Sequence, residues 1–285
     1  MEFLISQTFN SLSYAAILFL LASGFSIIFG VMEIINMAHA SYYLLGGYIG
    51  LTIMTWTGSF ILAIVGGIAI GCLVAVAMER FFLRALEGKM MSQMLITIGI
   101  TFFFRDLCLV IWGGSPQWVK APAFLTGALN VHSYVFAVYR IFVVVMAIVV
   151  ALGLWWLQER TRFGIMLRAS VDDREMAQCV GIKFHKVSMG AFFLGGGLAA
   201  LSGVIGSAYL SLFPGIEFEL IPYAFVVVIL GGLGSLRGVV VGSIVVGLID
   251  NFGKALFPEL SYFTLFAPMA IILAVRPTGL FGRTA

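Results

Sequence analysis

Leu12-Ser-Tyr-Ala-Ala-Ile-Leu-Phe-Leu-Leu-Ala-Ser-Gly-Phe-Ser-Ile-Ile-Phe-Gly-Val31 is twenty residues without a charge. At 1.5 Å per residue such a run makes a helix of about 30 Å, the depth of a bilayer's hydrocarbon core. The apolar run is continuous and does not alternate with polar residues, which favours a spanning helix over a strand of a membrane barrel. The whole chain shares this character: 61% of its 285 residues are hydrophobic, 10% are charged, and its mean hydropathy is +1.10. Soluble domains carry roughly 25% charged residues, so an ordinary soluble domain is excluded. The net charge of +3 then matters through its placement, not through attraction to nucleic acid. The expected fold is all-α: one transmembrane domain over residues 1–285, a polytopic helical bundle of about eight or nine spans with interrupted helices.

Working outward, Glu33, Asn36 and His39 follow the first span at three-residue spacing, so in a continuing helix they would share a face. Ala40–Trp56 resumes the apolar pattern with Gly46 and Gly50, and Phe60–Met78 repeats the G-x-x-x-G device at Gly67 and Gly71. Arg80, Arg84 and Lys89, beside Glu79 and Glu87, mark a basic loop that reads as cytoplasmic. Gln93–Trp112 crosses again and stops at Gly113-Gly-Ser-Pro116. The uncharged, Pro-bearing stretch to about Tyr134 suits an outside loop. Ile141–Leu157 returns the chain to the side of Arg80 and Arg84. Val187–Leu210 is the next span, with Glu217 and Glu219 outside it. Ile221–Leu230 is short and stops at Gly231-Gly232-Leu-Gly234-Ser235-Leu-Arg237-Gly238, the mark of a discontinuous helix. Val239–Ile249 and Tyr262–Val275 follow, and Arg276 and Arg283 place the C-terminus in the cytoplasm. Counting crossings backwards puts the N-terminus outside, provided that the glycine stretch ends a full crossing. The first residues lack a basic n-region and a small-residue cleavage site, so the first span is expected to be retained.

Glu33–Gly50 and Leu230–Asp250 each combine a polar cluster with a nearby Gly-rich helix start, one in each half, the usual pointer to a transport pathway. The candidate pathway residues are Glu33, Asn36, His39, Gly46, Gly47, Gly231, Gly232, Gly234 and Ser235. Asn36 and His39 could equally hold an interrupted helix by bonding freed backbone groups, and the glycines could serve close helix packing. Arg105-Asp106 places an ion pair's worth of charge in a span, but adjacent positions point to different faces, so mutual pairing is not expected. Gly195-Gly-Gly197-Leu-Ala-Ala200 has the letters of a dinucleotide fingerprint without a preceding strand, and reads as helix packing. Cys72, Cys108 and Cys179 are far apart and form neither a metal site nor a redox pair. No catalytic constellation and no metal-ligand spacing occurs.

Gln158–Lys186 stands apart, since it holds ten charged side chains in a chain that has so few. Ser170 followed by Asp173 gives a capping pattern, and Gly181 a stop, for a helix over Val171–Val180 outside the membrane. Met176 and Val180 would lie one turn apart on one face of it.

Thr161-Arg-Phe-Gly164-Ile-Met-Leu-Arg168-Ala169, then Ala177 and Gly181-Ile182, resembles the cytoplasmic coupling segment of the permease subunits of branched-chain amino-acid ABC importers, the Liv type. Ile35-Asn36-Met-Ala38-His39, Gly46-Gly-Tyr48, the Gly231–Ser235 motif through Gly238 and Gly242, and Arg276-Pro277-Thr278-Gly279-Leu280-Phe-Gly282 match in family order. The resemblance implies an importer of two permease chains (this chain with a second copy or a homologous sister), two ATPase subunits and a periplasmic solute-binding protein. It sits in the lipid of a bacterial-type cytoplasmic (inner) membrane. Residues 158–186 would couple to the ATPases, with Arg162, Gly164, Arg168, Ala169, Asp172, Asp173, Ala177 and Gly181 as coupling residues. ATP and Mg would be held by those partners and no cofactor by this chain. Its sequence agrees with that, because Gly88-Lys89 and Gly253-Lys254 lack the upstream glycine and the following hydroxyl of a phosphate loop. Urea, short amides or aromatic acids are alternative cargoes within the family. The rival class is a secondary transporter coupling ions through Glu33, His39 and Arg105.

Overall fold

The computed structural model describes residues 2–119, 121–122, 125–131, 134–276 and 279–281. The helices in chain order are α1 (Glu2–Met32), α2 (His39–Thr57), α3 (Phe60–Met78), α4 (Met90–Trp112), α5 (Val138–Arg160), α6 (Arg162–Asp172), α7 (Arg174–Cys179), α8 (Phe184–Gly206), α9 (Ile216–Gly231), α10 (Leu236–Leu256) and α11 (Ser261–Val275). Among the described residues six stretches are long and apolar enough to cross a membrane: Phe3–Met32, Phe60–Leu86, Met90–Trp112, Val138–Arg160, Phe184–Gly206 and Leu236–Leu256. The end of the bundle that carries residues 158–186 is called the inner end below.

α1 and α8 form the buried centre, with α3 on α8 and α10 on α1 the most extensive neighbours. Small residues let the backbones meet. A Cβ on Gly46 of α2 would fall 2.5 Å from the Cα of Ala200, one on Gly71 of α3 2.6 Å from the oxygen of Gly196, and one on Gly24 of α1 2.5 Å from that of Gly195. The Gly46 and Gly71 devices and the Gly195–Ala200 stretch are thus one packing system around α8, as expected for small-residue contacts between membrane helices. α1 also buries Ser11, Ser13 and Ser23. Their hydroxyls donate to carbonyls of their own helix, to Gln7 (2.7 Å), Phe9 (2.9 Å) and Leu20 (3.0 Å).

The all-α expectation holds for the bundle, and the outer end adds one short strand pair. Residues 128–131 (β1) pair antiparallel with 134–137 (β2), in the register Ala128↔Ala137 and Leu129↔Phe136. This pairing lies in the connection read as an outside loop, where β-prone residues such as Val131, Tyr134 and Val135 occur. The same connection is tied to the α8–α9 connection by Gln117 and Leu212, whose backbones bond each other at 2.9 and 2.7 Å. α9 likewise starts earlier than the short run from Ile221. Glu217, expected outside, is buried in its first turn, where Oε2 accepts from the amide of Gly215 at 2.9 Å. The side chain of Glu217 thus caps the turn that starts α9, a bond that hydropathy does not reveal.

The predicted helical face of Glu33, Asn36 and His39 does not form. α1 ends at Met32, Glu33 takes a left-handed backbone (φ 54°), and residues 33–36 are irregular before α2 opens at His39. His39 Nε2 donates to the carbonyl of Leu21 at 3.0 Å. Leu21 lies about 16 Å along the axis from Met32, so the chain doubles back and α2 begins deep inside the bundle. Arg105 Nε and Asp106 Oδ1, not expected to pair, are 3.1 Å apart on the exposed face of α4. The long Arg105 side chain reaches round the helix, which backbone directions alone do not predict.

Candidate functional site

The 158–186 segment forms two helices, not one. Thr161 caps α6, its Oγ1 accepting from the Gly164 amide at 3.1 Å. Gly164 has no room for a side chain: a Cβ there would strike the carbonyl oxygens of Leu157 and Gln158. The α6 helix runs on through Ser170, which is buried within it and does not serve as a cap. Asp173 then adopts an extended backbone (φ −155°, ψ 104°) and accepts from the Met176 amide at 2.9 Å, so α7 starts at Arg174. The expected helix over Val171–Val180 is therefore corrected. Its first residues finish α6, because the cap is Asp173 and an S-x-x-D pattern does not say which member caps. Gly181 ends α7 with φ 90°, as expected of a helix stop.

The eight coupling candidates divide by environment. Arg162, Asp172, Asp173 and Gly181 are exposed, Ala169 is half-buried, and Gly164 and Ala177 are buried. Arg168 Nη1 lies 2.6 Å from Glu159 Oε2 and ties α6 to the end of α5. With Ala177 turned inward, Met176 and Val180 are 63% and 75% exposed. The face beyond α7 is thus apolar at its centre and charged around it, the composition of a protein-docking patch.

The inward side of α6 meets the glycine turn between α9 and α10. A Cβ on Gly30 of α1 would come 3.3 Å from the Cα of Gly234 and 3.5 Å from Val171 of α6. Ser23, Ser26, Gly30, Gln158, Val171 and Gly234 line a small cavity at this junction. Gly232 (φ 102°) and Gly234 (φ 76°) hold backbone conformations that favour glycine. Ser235 caps α10, accepting from the Gly238 amide at 3.2 Å. The chain after α11 closes the turn from below, with the amides of Leu280 and Phe281 donating to the carbonyls of Leu230 (2.8 Å) and Gly231 (3.0 Å). Pro277, Thr278, Gly282 and Arg283 lie outside the described residues.

The structure thus brings the Gly231–Ser235 motif, through Gly234, to the coupling segment and not to the other pathway candidates. Asn36 and His39 are fully buried near mid-helix of α1, while Glu33 is exposed at the inner end. Asn36 Oδ1 accepts from the Ala38 amide at 3.1 Å, and Thr97 Oγ1 of α4 accepts from the Met37 amide at 3.3 Å. His39 sits against Phe25 and Tyr42, and its Nδ1 has no hydrogen-bond partner among the described residues. Gly46 and Gly47 lie further along α2, facing α8 and Leu212. Sequence reasoning missed Gly30 and Val171. Gly30 carried no signal beyond being a glycine in an apolar run, and Val171 was placed in the wrong helix.

The family model for the branched-chain amino acid transport system permease component matches residues 7–274. The chain is 26% identical over 294 residues to the high-affinity branched-chain amino acid permease protein BraD of Pseudomonas aeruginosa, covering 98% of this chain and 96% of that one. It is 28% identical over 298 residues to the corresponding LivH of Escherichia coli K12, covering 99% and 96%. It is 25% identical over 252 residues to a probable LivH of Methanocaldococcus jannaschii, covering 85% and 78%. No solved structure matches the chain.

Proposed function

The chain belongs to the branched-chain amino acid transport system permease family, and from that membership we propose how it works. It is a multi-pass membrane permease subunit that carries branched-chain or related amino acids in an ATP-binding cassette importer. The subunit is not itself the catalyst. ATP and Mg bind to two partner ATPase subunits, and the permease pairs with a second copy or a sister chain beneath a solute-binding protein. Its membrane is the cytoplasmic membrane of a bacterial-type cell. Beyond the six long stretches, α2, α9 and α11 complete nine spans with outer N-terminus and inner C-terminus.

The observation that carries this reading is the 158–186 segment: a charged, two-helix element with Met176 and Val180 facing out and Val171 packed on Gly30 and Gly234. A push on α7 from an ATPase would reach α1 and the α9–α10 turn through α6, and alternating access would follow from their displacement. Arg162, Gly164, Arg168, Ala169, Asp172, Asp173, Ala177 and Gly181 shape and hold that element. Asn36 and His39 fix the start of α2 at the depth where the pathway would run. Reconstituted complexes test the assignment. Arg168→Glu or Gly164→Pro should abolish substrate-stimulated ATP hydrolysis while leaving membrane insertion intact, and normal stimulation would overturn it.

A further inference from the structure

The α6 junction is one route inward from the coupling segment, and α7 has another. Arg174, the first residue of α7, forms an ion pair with Glu87 in the connection between α3 and α4. The guanidinium also sits 3.6 Å from the ring centre of Phe184, the buried first residue of α8. His185 Nδ1 lies 4.0 Å from the other Glu87 oxygen. Three residues further along α8, one helical turn away, Ser188 donates to Glu79 Oε1 at 3.1 Å. Glu79 is 1% exposed, and its second oxygen has no hydrogen-bond partner among the described residues.

Glu79 opens a π-helical turn, Glu79–Leu83, at the inner end of α3. Such turns are rare and frequently sit at functional sites. Gln93 of α4 spans the turn by donating to the Leu83 carbonyl at 3.1 Å. The 79–93 connection is therefore a corner gripped by α8 at Glu79 and by α7 at Glu87. α3 and α8 make the most extensive helix pair among the described residues, so a displacement of this corner moves the centre of the bundle.

We propose that the Arg174–Glu87 pair is a second mechanical link, which transmits movement of α7 to the inner ends of α3 and α8. Glu87, outside the coupling segment, is on this view a positioning residue for ATP-driven transport. The inference rests on the coupling role assigned to residues 158–186. Both side chains are partly exposed, at 41% and 27%, and such a pair contributes little to folding. Charge reversal can therefore be tested in an assembled protein.

The experiment uses the complete importer in proteoliposomes and measures substrate taken up per ATP hydrolysed. Glu87→Arg and Arg174→Glu should each lower that ratio by about tenfold, within the usual span of coupling between sites. The double reversal should restore it to within about threefold of wild type, since the pair is re-formed with opposite sense. Glu87→Gln, which keeps the shape, should give an intermediate loss and covers the case in which a reversed variant fails to assemble. Wild-type ratios in the Glu87 variants, or a double reversal no better than the single ones, would overturn the link. If Arg168→Glu and Gly164→Pro also left stimulation unchanged, the coupling role itself would fall; if they abolished it while the Glu87 variants did not, only the second link would.

Discussion

Two helix breaks, each with polar residues and with glycines in or near it, are built differently. The break at 33–38 runs from the inner end into the bundle and is held there by side chains: Asn36 on the Ala38 amide, Thr97 on the Met37 amide, His39 on the Leu21 carbonyl. The break at 232–235 lies at the inner end and is held by backbone, through the Leu280 and Phe281 amides and the contact of Gly234 with Gly30. The first satisfies freed backbone groups where water is absent, which only protein partners can do. The second leaves room for another element to press close, which only the lack of side chains can do. An interrupted helix is thus an anchor in one case and a joint in the other.

Substitutions can break this contrast, beginning with the largest expected effect. Gly30→Leu keeps α1 helical, since leucine is the better helix former, but wedges α6 away from Gly234. Substrate-stimulated ATP hydrolysis should fall by at least about tenfold in an assembled complex, measured as the ratio of stimulated to basal rate. His39→Leu should do the reverse. Losing the bond to Leu21, whose carbonyl keeps its own partner within α1, should cost about 0.5–1.5 kcal/mol of stability, seen as a lower melting temperature in detergent, with stimulation per folded complex retained. Transport lost at full stability would instead make the deep break part of the pathway. Thr97→Val removes one acceptor from the same anchor and should cost about 1 kcal/mol by the same assay. Glu159→Gln, at the exposed partner of Arg168, should leave the melting temperature unchanged, since an exposed pair contributes little.

Much of the fold was legible because hydropathy sets span positions directly. α3 begins and ends at Phe60 and Met78 as the apolar run does, and the G-x-x-x-G pairs mark real helix contacts. The two-helix form of 162–179, the deep start of α2 and the Arg105–Asp106 pair were not legible. Each is decided by partners that local spacing does not encode: Asp173 competes with Ser170 for a cap, and His39 reaches Leu21 only after the chain doubles back. The candidate site was legible as a set of motifs but not as an arrangement. The glycine motif near 231 belonged beside the coupling segment, a pairing visible only when α6 lies against α1.

The serines of α1 have a consequence for how the protein is made. α1 leaves the ribosome before the helices that bury it, α8 and α10, which come roughly 150 and 200 residues later, at about 5–20 residues per second. For that interval the helix resides in the membrane without its two main partners. Because Ser11, Ser13 and Ser23 donate to carbonyls of their own helix, it enters the bilayer with these hydroxyls already satisfied and waits there at little cost. The helix at the centre of the finished bundle is thus equipped for solitude at birth.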